Sequence, residues 1–513
     1  MATLRRIENR KMSDFIRANR PNQDGFSKRN LENRPGLPSR KSIVTETIPS
    51  SPTYPKIQQP PKPMSKTHLR PLLLSLAALA STATCLNAAP DPFAAHGRLQ
   101  VAKSGTHLAH ADGTPFFFLA DTCWCGPALS SEADWETYLA RRREQGFTAV
   151  QFNMVSPWRT APTDAEGRKS YTLRDGRLTV NEAFYRERLD SRLRAINRAG
   201  LLAVPVLCWA NKAGDAGIEL TEDQLVELIQ FEVARYADVH ALWILGGDNR
   251  YQGKDAEKWK NIGRRVFAAG NGKSPALVTT HPTGENWPWN DWENEPWLTV
   301  LGYQSGHGDG AGTLKWLHSG PPAGYGKRAE FTRPVINLEA PYEDHVAYQS
   351  RKPLSDLSVR RAVYWSLLVT PVAGVTYGGH GVWSWHTRPG EPPTDHGGSG
   401  VAKIWRDALE LPGATQMGHA RAFFESLPWT LLRPANDLLT TQDPDPTKFI
   451  ACAATPDRSV VVAYAPPGTQ PTFRDPSIKP QRRFDPRSGK WQAADGPAPD
   501  PALDWLFVFQ RRP

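Results

Sequence analysis

Eight apolar stretches of strand length recur between residues 116 and 383, and they constrain the fold more than any other feature of the 513-residue chain. The stretches cover 116–122, 148–154, 201–209, 240–248, 276–282, 298–307, 334–343 and 374–383. Apolar strands that alternate with amphipathic helices are typical of a parallel sheet covered by helices. Eight such units predict an α/β fold that closes into a (β/α)8 TIM barrel, with an open doubly wound sheet as the alternative.

The segments between these stretches contain helix signals. The first helix is predicted over 132–145, where Ser130 or Ser131 can cap the N-terminus and Gly146 can end the helix. Further helices are predicted over 182–199, 222–236 and 358–368. Apolar residues recur there every three or four positions, so each helix can pack one face on the sheet.

The sequence changes character from about residue 425. Prolines become frequent, and short strand-like runs such as S-V-V-V-A-Y-A at 459 and W-L-F-V-F at 505 are separated by turns. This pattern predicts a small antiparallel β-sandwich over 425–513, after a (β/α)8 domain over 90–424. Residues capable of chemistry are not concentrated in 425–513, so we expect this part to serve packing or ligand display.

The net charge of +10 comes from the N-terminal segment. Residues 1–63 carry 13 Lys or Arg and 5 acidic residues, and Lys66 and Arg70 add two positive charges, so residues 71–513 are neutral overall. A nucleic-acid partner is therefore not expected. The basic segment is rich in proline and lacks apolar periodicity, which predicts disorder.

From Met64 the chain has the layout of a secretory signal peptide. Two basic residues precede about a dozen mostly apolar residues, and small residues follow around Asn87–Ala89. The apolar run is too short to span a membrane. We therefore expect 64–89 to be a signal peptide of a secreted or periplasmic protein, and 1–63 to be a mis-called extension before the true start. A genuine basic arm before a membrane anchor, or a lipid anchor at Cys85, are the alternatives.

Four cysteines follow the expected cleavage site: Cys123, Cys125, Cys208 and Cys452. Cys123 and Cys125 are too close to bridge each other comfortably, and no second close pair indicates a zinc site. An exported protein could form a disulfide such as Cys125–Cys208, but spacing does not assign one. No H-x-H pair ends a predicted strand, so neither a metal nor another cofactor is expected.

Every predicted strand ends in polar or aromatic residues, and in a parallel barrel these ends meet at one rim, where active sites lie. In chain order the candidate substrate-binding residues are Asp121, Trp124, Gln151, Asn153, Trp209, Asn249, His281, Gln304, His307, Tyr342, Tyr377, His380 and Trp383. One aspartate or histidine after a strand is more often a cap or a satisfied hydrogen-bonding group than a catalyst. Amides, carboxylates and aromatic rings together are what sugar recognition requires.

Two further strand-end residues, Asp248 and Glu339, are the expected catalytic pair. Glycoside hydrolysis needs two carboxyl groups on opposite sides of the scissile bond. Both residues come directly off apolar strands, and Gly246–Gly247 are expected to leave room for the substrate. Asp121 is the rival candidate, whereas Glu343 is expected to be structural.

Seven motifs resemble those of the apiosidase-like family of glycoside hydrolases. They are D-T-C-W at 121, W-I-L-G-G-D-N at 243, T-H-P at 280, Q-S-G-H at 304, N-L-E-A-P-Y-E at 337, Y-W-S-L-L at 364 and Y-G-G-H-G-V-W at 377. The resemblance covers roughly 98–425, in order. The C-terminal part, with F-D-P-R-S-G at 484, resembles a small β-domain named for collagen binding.

This resemblance implies a (β/α)8 barrel that acts on glycosidic bonds, with apiose-containing pectic side chains as the substrate type. Carried over by motif, Asp248 is the acid/base and Glu339 the nucleophile. Cys123 replaces the alanine that the family usually has, and G-R-K-S-Y at 167 replaces G-R-K-P-F. These loops shape the pocket, so the reaction class is better defined than the sugar.

We therefore expect an exported glycosidase that retains anomeric configuration and acts on plant-type polysaccharide side chains. Its carboxyl groups would then lie ~5–5.5 Å apart, against ~6.5–9.5 Å for inversion. Burial should raise the pKa of Asp248, and a hydrogen bond such as one from Asn337 or Tyr342 should keep Glu339 ionised. One alternative is a non-catalytic protein that binds carbohydrate or matrix on the same scaffold, and a metal-dependent barrel hydrolase is a third possibility.

Overall fold

The computed structural model describes residues 91–154, 158–272 and 274–511. The expected extension 1–63 and the expected signal peptide 64–89 lie outside these residues. Within the described ranges, no helix combines the length and apolarity needed to cross a membrane.

Eight parallel strands form the barrel, one within each apolar stretch of the sequence. They are β1 (Phe118–Thr122), β2 (Ala149–Asn153), β3 (Leu202–Val206), β4 (Leu242–Ile244), β5 (Leu277–Thr279), β6 (Leu301–Gln304), β7 (Val335–Glu339) and β8 (Gly374–Tyr377). Hydrogen-bonded neighbours follow the order β5-β4-β3-β2-β1-β8-β7-β6. Across the seam between β5 and β6, the amides of Thr299 and Val300 donate to the carbonyl of Val278 at 3.0 and 3.1 Å. The predicted barrel is therefore confirmed.

Seven helices of nine or more residues occur in the described part of the chain. They are α1 (Glu132–Glu144), α2 (Asp190–Arg198), α3 (Glu222–Arg235), α4 (Lys254–Phe267), α5 (Ala311–Ser319), α6 (Asp356–Leu368) and α7 (Pro412–Glu425). The side chain of Ser131 caps α1 by accepting from the amide of Asp134, and Thr221 and Gln224 form a capping box at α3. These local signals explain why the helix starts predicted at 132 and 222 agree with the structure. The helix predicted from 358 begins at Asp356, and the one predicted over 182–199 is interrupted by a π-turn at Tyr185–Leu189.

Shorter elements complete the connections. The helical ones are Pro92–His96, Gly126–Leu129, Glu182–Phe184, a π-turn at Tyr185–Leu189, Ala216–Glu219, Pro321–Tyr325 and Trp405–Ala408, with 3-10 turns at Trp289–Asp291, Gly397–Ser399, Trp429–Leu431, Asn436–Leu438 and Pro446–Lys448. A three-stranded antiparallel sheet is formed by Leu99–Val101, Leu108–His110 and Pro115–Phe116, and a hairpin by Tyr171–Arg174 and Arg177–Val180.

The C-terminal part is antiparallel, as predicted, although it contains one sheet where a sandwich of two was expected. Its six strands form one continuous sheet in the order β9-β10-β11-β14-β12-β13. They are β9 (Arg433–Pro434), β10 (Ala451–Ala454), β11 (Val460–Ala465), β12 (Ile478–Asp485), β13 (Lys490–Ala493) and β14 (Trp505–Arg511).

The two faces of this sheet belong to different hydrophobic cores. On β11, Val462 and Tyr464 join the core of the barrel, whereas Val461 and Ala463 join a smaller core of the β-domain itself. This alternation is the two-residue period of a strand. The β-domain therefore packs directly on the barrel.

A buried ion pair also joins the two parts. Arg360 on α6 contacts Asp504 at 2.8 Å, with side chains 3% and 1% exposed. Asp504 also accepts a hydrogen bond of 3.1 Å from the hydroxyl of Tyr464. Both observations support the packing role that the sequence suggested for this region.

The four cysteines after residue 89 are buried and free. The disulfide considered between Cys125 and Cys208 is therefore not formed in this structure. Burial raises the pKa of both thiols well above the usual range, so the two side chains act here as small apolar core residues.

Candidate active site

A cavity of about 340 Å³ lies where the carboxyl ends of the barrel strands meet. Eight of the residues predicted for the site line it: Trp124, Trp209, Asp248, Gln304, His307, Glu339, Tyr342 and Trp383. They come from strand ends and loops that are distant in sequence. The barrel topology thus brings both predicted catalytic carboxylates into one cavity.

Asp121, the rival carboxylate, lies outside the cavity lining and is fully buried. Its Oδ2 accepts hydrogen bonds from the hydroxyl of Tyr138 at 2.6 Å and from Nε of Arg142 at 2.8 Å. Both partners lie on α1, so Asp121 faces the layer between the strand and that helix.

Tyr377 also lies outside the cavity lining. Its hydroxyl donates to Oε2 of Glu343 at 2.7 Å, and the amide of Gly413 donates to the same oxygen at 2.9 Å. Burial raises the pKa of Glu343 to about 7. These contacts hold β8, the loop after β7 and α7 together.

The remaining predicted residues outside the cavity lining make contacts within the protein. Gln151 donates to the carbonyl of Leu338 at 2.8 Å, and the backbone amide of Asn153 donates to the carbonyl of Trp124 at 3.0 Å.

The amide group of Asn249 donates to the carbonyl of Ala210 at 3.1 Å, and its Oδ1 accepts from the amide of Tyr251 at 2.9 Å. His380 accepts at Nδ1 from the indole of Trp383 at 3.1 Å, so it orients a residue of the cavity wall.

His307 fixes one oxygen of Glu339. Its Nδ1 accepts the backbone amide of Tyr342 at 3.2 Å, so the ring hydrogen is placed on Nε2. Nε2 then donates to Oε1 of Glu339 at 2.9 Å. Glu339 is only 6% exposed, at the end of β7. The carboxylate is therefore held rigidly against the cavity.

His281 lies between the two predicted catalytic carboxylates. Its Nδ1 is 3.4 Å from Oδ1 of Asp248, and its Nε2 is 3.4 Å from Oε2 of Glu339. The side chain of Asp248 is 20% exposed, while that of His281 is 0% exposed. A single imidazole ring thus contacts both carboxyl groups from inside the protein.

The two carboxyl groups have opposite protonation tendencies. Burial raises the pKa of Asp248, and the charge of Glu339 adds to this, while His281 opposes it. Burial alone would also raise the pKa of Glu339, but the contacts with His281 and His307 hold it well below the usual range. A protonated Asp248 beside an ionised Glu339 is the pairing that a general acid and a nucleophile need. Of the two expected donors, Tyr342 has a side-chain hydrogen bond with Glu339, whereas the side-chain amide of Asn337 donates to Ser305 and Ser366 instead.

Aromatic rings form one wall of the cavity. Trp158 and Trp209 stack with ring centroids 5.1 Å apart, and Trp124 meets Trp209 edge-on at 5.1 Å. The indole of Trp124 donates to the hydroxyl of Tyr342 at 2.9 Å. Such surfaces suit the C–H faces of a sugar ring.

Gly247 leaves space for the aromatic wall, whereas it was expected from the sequence to leave space for the substrate. A Cβ at Gly247 would lie 2.2 Å from the indole of Trp209, and one at Gly246 would lie 2.7 Å from the hydroxyl of Tyr251. The two glycines therefore make room for aromatic side chains of the protein, and the expected clearance for substrate is not their structural reason.

Several cavity residues were not predicted from the sequence. They are Trp158, Arg159, Asn211, Thr283, Gly284, Gly306, His345, Tyr348 and His396. Most of them lie in loops, several residues beyond a strand end. Asn211 is one example: it follows Trp209 by two positions, and its amide is 3.5 Å from Oδ2 of Asp248. Extending the search for polar residues further into each loop would have found it.

The family profile described as "Apiosidase-like, catalytic domain" matches residues 102–431. The chain belongs to this family. Its barrel is accordingly the catalytic domain of a glycoside hydrolase. The match spans every barrel strand and both carboxylates of the cavity, and ends before the sheet of the β-domain begins.

Solved structures share the fold of this apiosidase-like protein. One described as "Glycoside hydrolase" aligns with a TM-score of 0.69 and 22% identity, covering 82% of this chain and 98% of that one. A glycoside hydrolase family 5 protein from Bacteroides vulgatus ATCC 8482 aligns with a TM-score of 0.67 and 20% identity, covering 82% and 95%. At these identities the likeness concerns the fold. No curated protein sequence matches the chain.

Proposed function

We propose that the protein is an exported glycosidase that cleaves apiose-type glycosidic bonds in plant-type polysaccharide side chains with retention of configuration. The catalytic barrel covers 90–424, and the β-domain over 425–513 is an accessory to it. The observation that carries the proposal is the pair Asp248 and Glu339, which share one cavity and have opposite protonation tendencies.

In the first step, Asp248 gives its proton to the leaving oxygen as the glycosidic bond breaks. An oxygen of Glu339 forms a bond to the anomeric carbon, which produces a covalent glycosyl-enzyme. In the second step, Asp248 takes a proton from water, and the water oxygen displaces Glu339 from the anomeric carbon. His307 and the rigid end of β7 hold Glu339 for both attacks.

Aromatic side chains support a carbohydrate substrate. Trp124, Trp209 and Trp383 line the cavity and offer faces for a sugar ring, while Gln304 and Asn211 offer amides for its hydroxyl groups. The apiose-type sugar is proposed from the family alone. Export rests on the sequence from Met64, and N-terminal sequencing of the exported protein should give an end near residue 90, whereas an end near Ala2 would contradict it.

The catalytic roles are tested with Asp248→Asn and Glu339→Gln on pectic oligosaccharides and on a nitrophenyl apioside. Loss of a general acid or base typically costs ~10²–10⁴-fold in rate, and each variant is expected to lose at least that on the oligosaccharides. Glu343→Gln is the matched control, because Glu343 is buried, outside the cavity lining and expected to keep activity. Near-normal turnover in either cavity variant would refute its assigned role.

Stereochemistry tests the retaining mechanism separately. Proton NMR of the first product should show the anomer of the substrate, and inversion would refute the nucleophilic role of Glu339. If no glycoside is cleaved while oligosaccharides bind to the protein, the non-catalytic alternative replaces the proposal.

A further inference from the structure

His281 is the buried group that the two-carboxylate mechanism does not use. It follows β5 and is 0% exposed, and it is not part of the cavity lining. It therefore does not contact the sugar directly, although the sequence suggested a role in substrate binding for it. Its ring nitrogens lie instead 3.4 Å from an oxygen of each of the two carboxylates.

The ring has little freedom to turn. Trp124 and Trp209 meet it edge-on, with centroids at 5.6 and 5.9 Å, and its backbone amide donates to the carbonyl of Gly246 at 2.9 Å. Neither ring nitrogen meets hydrogen-bond geometry with any partner, so its contacts with the two carboxylates are ion-pair contacts. A neutral imidazole carries one N–H and can donate to one carboxylate, whereas an imidazolium carries two and can donate to both.

The surroundings favour the doubly protonated ring. Burial lowers the pKa of His281, but Asp248 and Glu339 outweigh burial and raise it to about 9. The other rings packed on it, Trp124 and Trp209, carry no charge. Two further groups affect the carboxyl groups: Arg159 lowers the pKa of Asp248, and His307 lowers the pKa of Glu339.

We propose that His281 is a positioning residue that acts as a fixed cationic bridge between Asp248 and Glu339, and that it switches Asp248 from acid to base during turnover. This inference rests on the proposed function. In the free enzyme two carboxyl groups face one cation, so one proton stays on Asp248 while Glu339 remains ionised. The bridge also holds one oxygen of each carboxyl group in a fixed direction.

The switch follows from the charge that the first step consumes. When Glu339 forms its ester bond to the anomeric carbon, its negative charge is lost, and Asp248 has passed its proton to the leaving oxygen. One carboxylate then faces one imidazolium, so Asp248 stays ionised and can accept a proton from water. When water has displaced Glu339, that proton remains on Asp248, and the starting state is restored.

His281→Gln tests this bridge, because glutamine keeps a donor but carries no charge. With a nitrophenyl apioside the leaving group needs no acid, and His307 still supports Glu339, so the first step should proceed. The second step should slow by at least ~10-fold, because Asp248 now keeps its proton in the intermediate. We expect a burst of nitrophenol, a glycosyl adduct on Glu339 by peptide mass spectrometry, and faster turnover when azide is added as a nucleophile that needs no base.

His318→Gln is the matched control, since His318 is a buried histidine on α5 that lies outside the cavity lining. The bridge is refuted if His281→Gln and His318→Gln show the same turnover and the same pH profile. It is also refuted if His281→Gln is slow without accumulating the adduct. Inversion, or an adduct on a residue other than Glu339, would instead refute the proposed function.

A measurement on the unaltered protein covers the case in which His281→Gln does not fold. The pH profile of kcat/KM on an alkyl apioside gives the pKa of Asp248 in the free enzyme, where it acts as acid. The pH profile of kcat on the nitrophenyl apioside gives its pKa in the glycosyl-enzyme, where it acts as base. The second profile should give a pKa for Asp248 at least one unit below the first. Equal values would overturn the switch.

Discussion

Gly247→Ala tests whether the aromatic wall sets the geometry of the cavity. The new Cβ would lie 2.2 Å from Cε3 of Trp209 and 2.6 Å from its Cζ3, whereas ordinary contact begins at 3.4 Å. The indole of Trp209, or the backbone that carries Asp248, must therefore shift by about 1.2 Å.

Such a shift should affect activity more than stability. Trp209 is confined by Trp158, Trp124 and His281. Overpacking of this kind typically costs about 1–3 kcal/mol of stability, and a displacement of about 1 Å at the reacting groups can cost ~10²-fold in rate. We expect Gly247→Ala to fold, to lose roughly 10²-fold in kcat/KM on the nitrophenyl apioside, and to change its tryptophan fluorescence.

Gly312→Ala is the control for adding a methyl group. Gly312 lies in α5, and a Cβ there would meet nothing within 4 Å. Alanine favours a helix over glycine by about 0.5–1 kcal/mol, so this variant should be as stable as the parent or more so, with unchanged kcat/KM. If Gly247→Ala also keeps kcat/KM within twofold, the wall does not control the site and the reasoning fails.

Three further predictions concern charged groups outside the cavity lining. Asp121→Asn removes the partner of the buried Arg142 and should cost about 3–5 kcal/mol in urea denaturation, with unchanged KM; a raised KM would support the substrate-binding role instead. Asp504→Asn should lower the free energy of unfolding by about 3 kcal/mol, since Asp356 still pairs with Arg360. The shared core also predicts one thermal transition for the unaltered protein, and two separate transitions would contradict it. The pKa of Glu343 rises from 4.5 to about 7, so its protonated form stabilises the fold below about pH 4.5, and this contribution is lost as pH rises through 7. Glu343→Gln should therefore gain stability on the order of 3 kcal/mol above pH 7 and none near pH 4. An equal gain at both pH values would refute this.

The barrel could be predicted because its strands are continuous apolar runs. Each of the eight strands within these runs is buried throughout, and local caps such as Ser131 and Thr221 mark where helices begin. The partners of individual strand-end residues could not be predicted in the same way. Successive side chains of a strand point to opposite faces, so an error of one position exchanges the cavity for the helix layer. Asp121 and Tyr377 are examples, because both sit at strand ends yet contact groups outside the cavity.

The loops were predicted least well, for a different physical reason. Trp158 and His396 are far apart in sequence, and their rings lie 5.9 Å apart at the cavity. No periodic pattern records how such loops fold over the barrel. The packing of neighbouring loops likewise determines three other features: the contact of the Asn211 amide, the space at Gly247 and the position of His281 between two carboxylates.

Asp121 and Asp248 show how the partner of a carboxylate determines what the carboxylate can do. Both follow a barrel strand, and the sequence could not separate them by position alone. Asp121 faces the guanidinium of Arg142, which keeps its proton at any physiological pH and opposes the rise that burial causes in the pKa of Asp121, so this carboxylate has a permanent cation beside it. Asp248 faces an imidazole that also contacts a second carboxylate, and it is partly open to the cavity. Only in that setting does the protonation of an aspartate depend on whether a nearby charge is consumed, which is the property that an acid/base catalyst requires.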